Sequence, residues 1–280
     1  MIIDFHTHTF PDRIAAGAIA KMQQDSHSAA FTSGTESALR ASMRTAGVDH
    51  SVVLPVATNP LKLRSINDSS LRANGQEGLI CFGCVHPDAP DWAEEMRRIA
   101  SEGLKGVKIH PVYQGVDIDD PRYLRILTLA GELGLIVVMH AGNDIGFPGV
   151  VRCSPQMTYN ALRQAGPVCL VMAHMGGWRN WDEAEMLAET GVYIDTAFSM
   201  GSIVPLDDGH YRPEDLPLLS DDAFVRLVHV FGAKRVLFGT DSPWADQAAE
   251  LAHLRALPLI EEEKTRILGL NAATLLNTNK

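Results

Sequence analysis

Eight short apolar runs, separated by stretches that include clear helical spacing, restrict this chain more than any other feature of its sequence. The runs are Ile2–Phe5, Ser51–Leu54, Leu79–Cys84, Gly106–His110, Leu135–His140, Val168–His174, Val192–Thr196 and Arg235–Asp241. They are rich in Val, Ile and Leu, as expected of parallel strands covered on both faces. The clearest helical periodicity lies in Asp91–Glu102 and Arg122–Leu133. Asp91 stands where an N-cap is needed for the first, and Gly134 where a stop is needed for the second. Gly103 and Gly191 punctuate the chain in the same way. Strand–helix alternation requires right-handed crossovers and a parallel sheet, and eight units favour closure. The expected fold class is therefore α/β, a (β/α)8 TIM barrel formed by one domain over residues 1–280. Three segments exceed the minimal unit. Phe10–Asp25 is expected to form an extra helix, and Gly142–Pro155 and Ser199–Leu219 are long loops of the kind that carry function at a barrel mouth. Glu261–Leu276 reads as a further C-terminal helix.

Composition narrows the partners. The 280 residues are 46% hydrophobic, ample for one large core, and the formal net charge is -10. So acidic a chain is a poor match for nucleic acid or an anionic membrane, which leaves a small-molecule substrate. The four cysteines, Cys81, Cys84, Cys153 and Cys169, do not make a disulfide framework at this size and fit a reducing compartment. The opening residues lack the basic and apolar regions of a signal peptide, and no uncharged apolar run approaches the roughly 20 residues that span a bilayer. A soluble cytoplasmic protein is expected, and base rates favour a homodimer.

Four of the apolar runs end in residues that bind metals. The first carries Asp4-Phe5-His6-Thr7-His8, and others end at His140, His174 and Asp241. In a parallel barrel these strand ends lie on one face, so distant residues converge. His6 and His8 are two apart, which puts both imidazoles on one side of a strand. Imidazole and carboxylate are the donors that a divalent ion of the zinc class takes. Spacing alone does not rank His140 against His174 as a ligand.

The motifs Asp4-Phe5-His6-Thr7-His8, His140-Ala141-Gly142, Ala173-His174-Met175-Gly176-Gly177 and Gly239-Thr240-Asp241-Ser242-Pro243-Trp244, in that order, resemble the amidohydrolase superfamily. The resemblance spans essentially the whole chain. It is strongest to the branch of aminocarboxymuconate-semialdehyde decarboxylase and related hydrolases. It implies a metal site at His6, His8, His140 and Asp241, with His174 close by to orient water or stabilise charge on the substrate. One Zn2+ is the first expectation, with Mn2+ or Fe2+ as alternatives. In binuclear members a fourth-strand lysine can be carboxylated and bridge two ions, and Lys108 stands on the fourth run. An unmodified ammonium beside a divalent ion is repelled unless an anion intervenes. A mononuclear site with Lys108 and His110 near the substrate is favoured over the bridged pair.

Other residues join the site by position. Asp144 lies in the loop after His140, as a substrate contact or the start of an Asx turn. Trp178 and Arg179 follow His174, where they would wall the pocket and hold a substrate carboxylate, or else pack at a helix start. Trp244, three residues past Asp241, invites the same comparison. Asp195, near the end of the seventh run, is placed to orient a ligand histidine or to make a structural hydrogen bond. Cys81 and Cys84 face opposite sides of a strand and read as core thiols. His86-Pro87 reads as a helix start, and His210 as an exposed loop residue. The leading expectation is a hydrolase acting on a small amide, lactone or ester that bears a carboxylate, through a metal-activated water. In it Asp241 moves the proton and His174 stabilises charge. Non-oxidative decarboxylation of an unsaturated or aromatic acid is the alternative. An inactive, metal-stabilised binding protein ranks third, because Asp241 and His174 are both present.

Overall fold

The computed structural model describes residues 1–277. Each of the eight apolar runs forms strand. The strands are β1 (Ile3–Thr7), β2 (His50–Val53), β3 (Leu79–Cys81), β4 (Gly83–Cys84), β5 (Gly106–Ile109), β6 (Ile136–Met139), β7 (Cys169–Met172), β8 (Tyr193–Asp195) and β9 (Val236–Leu237). The third run is split into β3 and β4 at Phe82. Every residue of β1, β5 and β6 is buried, which explains why these strands show little polar alternation.

The chain divides into two compact units. One comprises residues 1–52, 145–148 and 195–280, and the other 53–144 and 149–194. In the first unit, β1 lies between two partners. On one side Asp49 and His50 donate backbone N–H groups to Ile2 O. On the other, Phe5 donates to Phe238 O and His8 to Ser242 O, and Thr7 and Ser242 form a parallel bridge. Thr196 in turn donates to Leu237 O, so the segment after β8 joins the segment that carries Asp241. Phe5, Phe224, Phe231, Phe238 and Ile267 are buried in this unit.

In the second unit β4 to β8 run parallel in sequence order. Lys108 is in register with Val138, which is in register with Val171. Beyond the paired residues, His140 donates to Ile109 O and Ala173 to Met139 O. The register therefore brings the strand ends at His110, His140 and His174 along one edge.

The helices follow their capping chemistry. Residues Pro121–Leu133 begin with the Asp120 side chain accepting from Arg122 N–H and end at Gly134 with φ +66°. The extra helix after β1 is Asp12–Ser26. Asp91 precedes the helix Trp92–Ser101 but makes no side-chain cap. Its ψ of 16° is not the extended backbone that turns a cap side chain toward the first free N–H groups. His86-Pro87 forms a turn and no helix, with His86 Nδ1 accepting from Asp88 N–H. The C-terminal helix is not uniform: a π-helical stretch, Arg266–Leu270, separates Glu261–Thr265 from Asn271–Leu275. There Ile267 O accepts from Phe238 N–H, Asn271 reaches Ala233 O and Val236 O, and Gly269 comes so near Met1 that a Cβ would stand 2.3 Å from its carbonyl oxygen. The wide turn releases a carbonyl for tertiary bonding.

Candidate metal centre

In the first unit, strand pairing assembles His6, His8 and Asp241. His6 and His8 leave the end of β1 on one side, and Asp241 arrives on the neighbouring segment, its N–H donating to His6 O at 2.8 Å. Asp241 has φ +67°, a left-handed conformation uncommon outside glycine and characteristic of functional turns. The three donor atoms face one another. His6 Nε2 lies 3.2 Å from His8 Nε2 and 3.4 Å from Asp241 Oδ1, and His8 Nε2 lies 3.1 Å from Asp241 Oδ1. Ligands held about 2.0–2.1 Å from a tetrahedral ion stand about 3.3 Å apart. The spacing thus fits a divalent ion in the concavity of the trio, and three protein donors leave coordination positions open.

Buried carboxylates brace these ligands. Asp195 Oδ2 lies 2.8 Å from His6 Nδ1. Asp4 accepts from His6 N–H, Thr240 N–H, the Thr240 hydroxyl and Gln247 Nε2, tying β1 to the segment that ends in Asp241. Full burial pushes the Asp4 carboxyl up to about 6 in spite of these four bonds.

The second unit holds a further polar cluster. Lys108 is only 1% exposed, and His110, His140, Asp144 and His174 are buried. The His110 ring stacks between Tyr113 at 3.9 Å and His140 at 4.1 Å. Asp144 Oδ2 lies 3.4 Å from His110 Nε2 and 3.8 Å from His140 Nε2. His140 Nδ1 is 3.1 Å from His174 Nε2, and His140 Nε2 donates to Asn143 O. Burial, and then the neighbouring His110, His174 and Lys108, hold the His140 imidazole well below its usual pKa, so it is neutral. His110, His140 and Asp144 also satisfy the spacing of a three-donor group.

The remaining predicted residues separate by unit. Trp178 is buried in the second unit, and the exposed Arg179 lays its guanidinium 4.6 Å above the Trp178 ring. Trp244 is half-buried in the first unit, its N–H donating to Asp241 O. Cys81 and Cys84 are buried thiols outside any disulfide. His210 is exposed and stacks on His27 at 3.6 Å. Tyr113 and Gln247 were not singled out by the sequence, and Trp181, expected as a packing residue on a helix, donates its indole N–H to His174 O. Gln247 acts through a contact fixed only by tertiary structure, and Tyr113 through the local turn that follows His110.

Parallel strands with functional residues at their ends define an α/β barrel class, and similarity to solved structures gives the same fold. A TIM-barrel protein from Bordetella bronchiseptica matches with a TM-score of 0.73 at 18% identity, over 99% of this chain and 98% of that one. The 5-carboxyvanillate decarboxylase of Sphingomonas paucimobilis matches at 0.70 and 18% identity, over 99% and 98%. A dihydroxybenzoic acid decarboxylase from Polaromonas sp., with bound manganese and the inhibitor 2-nitroresorcinol, matches at 0.67 and 14% identity, over 100% and 97%. The amidohydrolase family profile matches residues 3–278, and the chain belongs to that family of enzymes. A search of curated proteins returned no match. Among the described residues no helix is long and apolar enough to cross a membrane.

Proposed function

We propose that this chain is a metal-dependent enzyme that decarboxylates a small aromatic or unsaturated carboxylic acid without oxidation. The observation that carries the proposal is the ion-sized spacing of His6, His8 and Asp241. A divalent ion bound there would supply Lewis acidity toward an oxygen of the substrate. Zinc suits two imidazoles and a carboxylate, and manganese is the ion of the Polaromonas relative. The likeness to two decarboxylases of aromatic acids supports the substrate class.

The chain's own residues have separable tasks in this reading. Lys108, a buried ammonium, attracts a substrate carboxylate or phenolate. His174 stabilises charge that builds on a substrate oxygen. Trp178 supplies apolar wall, Arg179 an outer positive charge, and Asp144 orients His110. As the bond between ring carbon and carboxyl carbon breaks, its electron pair stays on the ring carbon and carbon dioxide leaves. A proton drawn from solvent water then takes the vacated position, relayed by the Asp241 oxygen that does not face the imidazoles.

Hydrolysis of a lactone, ester or amide bearing a carboxylate is the second reading, favoured by membership in a family described as amidohydrolase. The deciding experiment offers hydroxybenzoic acids and carboxylated lactones to chelator-treated chain reloaded with Zn2+ or Mn2+. Metal-dependent release of labelled carbon dioxide supports decarboxylation. Incorporation of 18O from water into an acid product supports hydrolysis, and turnover unaffected by chelation refutes both.

A further inference from the structure

The His6 ring has two nitrogens, and only one faces the other donors of the trio. Its Nδ1 points to Asp195 Oδ2 at 2.8 Å, with His6 1% and Asp195 0% exposed. An ionised carboxylate only accepts, so the hydrogen in this contact sits on Nδ1. A neutral His6 then has no hydrogen on Nε2, and its lone pair is aimed toward His8 and Asp241. The carboxylate is itself immobilised, because Asp195 Oδ1 accepts from Ala197 N–H at 3.2 Å. The next residue fastens this stretch to the strand that brings Asp241. Thr196 N–H donates to Leu237 O, its hydroxyl donates to Gly239 O, and Gly239 N–H donates back to that hydroxyl oxygen.

We propose that Asp195 is a positioning residue of the metal centre. It selects the tautomer of His6 and fixes the ring's direction without itself contacting the ion. The inference rests on reading His6, His8 and Asp241 as ligands. A dry carboxylate behind a ligand imidazole is how proteins hold such a ring in its binding state, and losing the partner weakens metal affinity about 10- to 100-fold.

The test compares wild-type chain with Asp195→Asn, which keeps the shape and removes the charge. Chelator competition reads the affinity for Zn2+ and Mn2+, and a melt of the metal-free protein reads its stability. Affinity falling about 10- to 100-fold, with the metal-free melting temperature little changed, is the expected result. Equal affinity in the two proteins overturns the role of Asp195 and leaves the metal centre standing. A wild-type chain that binds neither ion overturns the metal centre and this role with it. Nitrogen-15 spectra of the metal-free wild type decide the matter even if the variant does not fold: His6 protonated on Nδ1 and bare at Nε2 supports the proposal, and the reverse tautomer refutes it.

Discussion

Replacing Glu250 by glutamine should make the protein more stable at neutral pH, by an amount that grows with pH. Glu250 lies on the helix Gln247–Ala256 and is only 4% exposed. Among the described residues its Oε2 has no hydrogen-bond partner, and Gly201 packs so tightly against Oε1 that a Cβ there would stand 2.2 Å away. Burial, then the nearby carboxylates of Asp4 and Asp246, push its pKa from 4.5 to about 8. Between those values the folded chain keeps a proton that the unfolded chain has released. The stabilising contribution of this group is therefore complete below pH 4.5 and is lost as the pH rises through about 8. Each pH unit in that window removes about 1.4 kcal/mol, which comes to roughly 3 kcal/mol by about pH 7. Glutamine has no charge to suppress. Denaturant titrations of wild type and Glu250→Gln should differ little near ~pH 5, and by roughly 3 kcal/mol in favour of the variant near ~pH 7. Taking the difference cancels groups that do not sense Glu250. A free-energy difference that stays flat across this range would refute the buried-proton argument.

Two substitutions probe the second unit. Lys108→Met should raise KM for an anionic substrate about 10- to 100-fold, the loss expected for a hydrogen bond to a charged group, with a smaller effect on an uncharged analogue. Steady-state kinetics with such a pair of compounds checks it. Gly142→Ala should destabilise by more than about 2 kcal/mol in a thermal melt, because strained backbone and overpacking act together. The glycine has φ +83°, and a Cβ would lie 2.4 Å from Trp178 N and 2.5 Å from Trp178 O.

The strands were legible because burial on both faces leaves a mark on composition, and the site's residue types were legible because they stand at strand ends. The partners of those residues were not. Asp195 meets His6 across 189 positions of sequence, and Gln247 meets Asp4 across 243. Such pairings depend on strand register and on where a helix begins, whereas periodicity reports only the face of one element. Asp91 shows the same limit on a local scale: the residue type suits a cap, but the backbone angle decides. The π-helical stretch at Arg266–Leu270 escapes notice because residue type does not mark the close approach of Met1 to Gly269, at the opposite end of the chain.

Residue type also fails to separate the two His/His/Asp groups, and hydrogen bonding does separate them. In the first unit His6 Nδ1 donates to a carboxylate, which leaves Nε2 bare for an ion. In the second, His110 Nδ1 accepts from the Tyr113 N–H at 3.3 Å. A neutral imidazole that accepts at one nitrogen carries its hydrogen on the other, so His110 presents an N–H to Asp144. Turning His110 into a ligand would move that hydrogen to Nδ1. The Tyr113 N–H, in the first turn of the short helix Pro111–Gln114, would then lose its bond to His110. Without His110, that group keeps two donors, too few for a tight site. Metal analysis of the saturated, dialysed chain should therefore return one ion per chain. Two tightly held ions, or an ion retained by His6→Ala with His8→Ala, would show that the argument from tautomers is wrong.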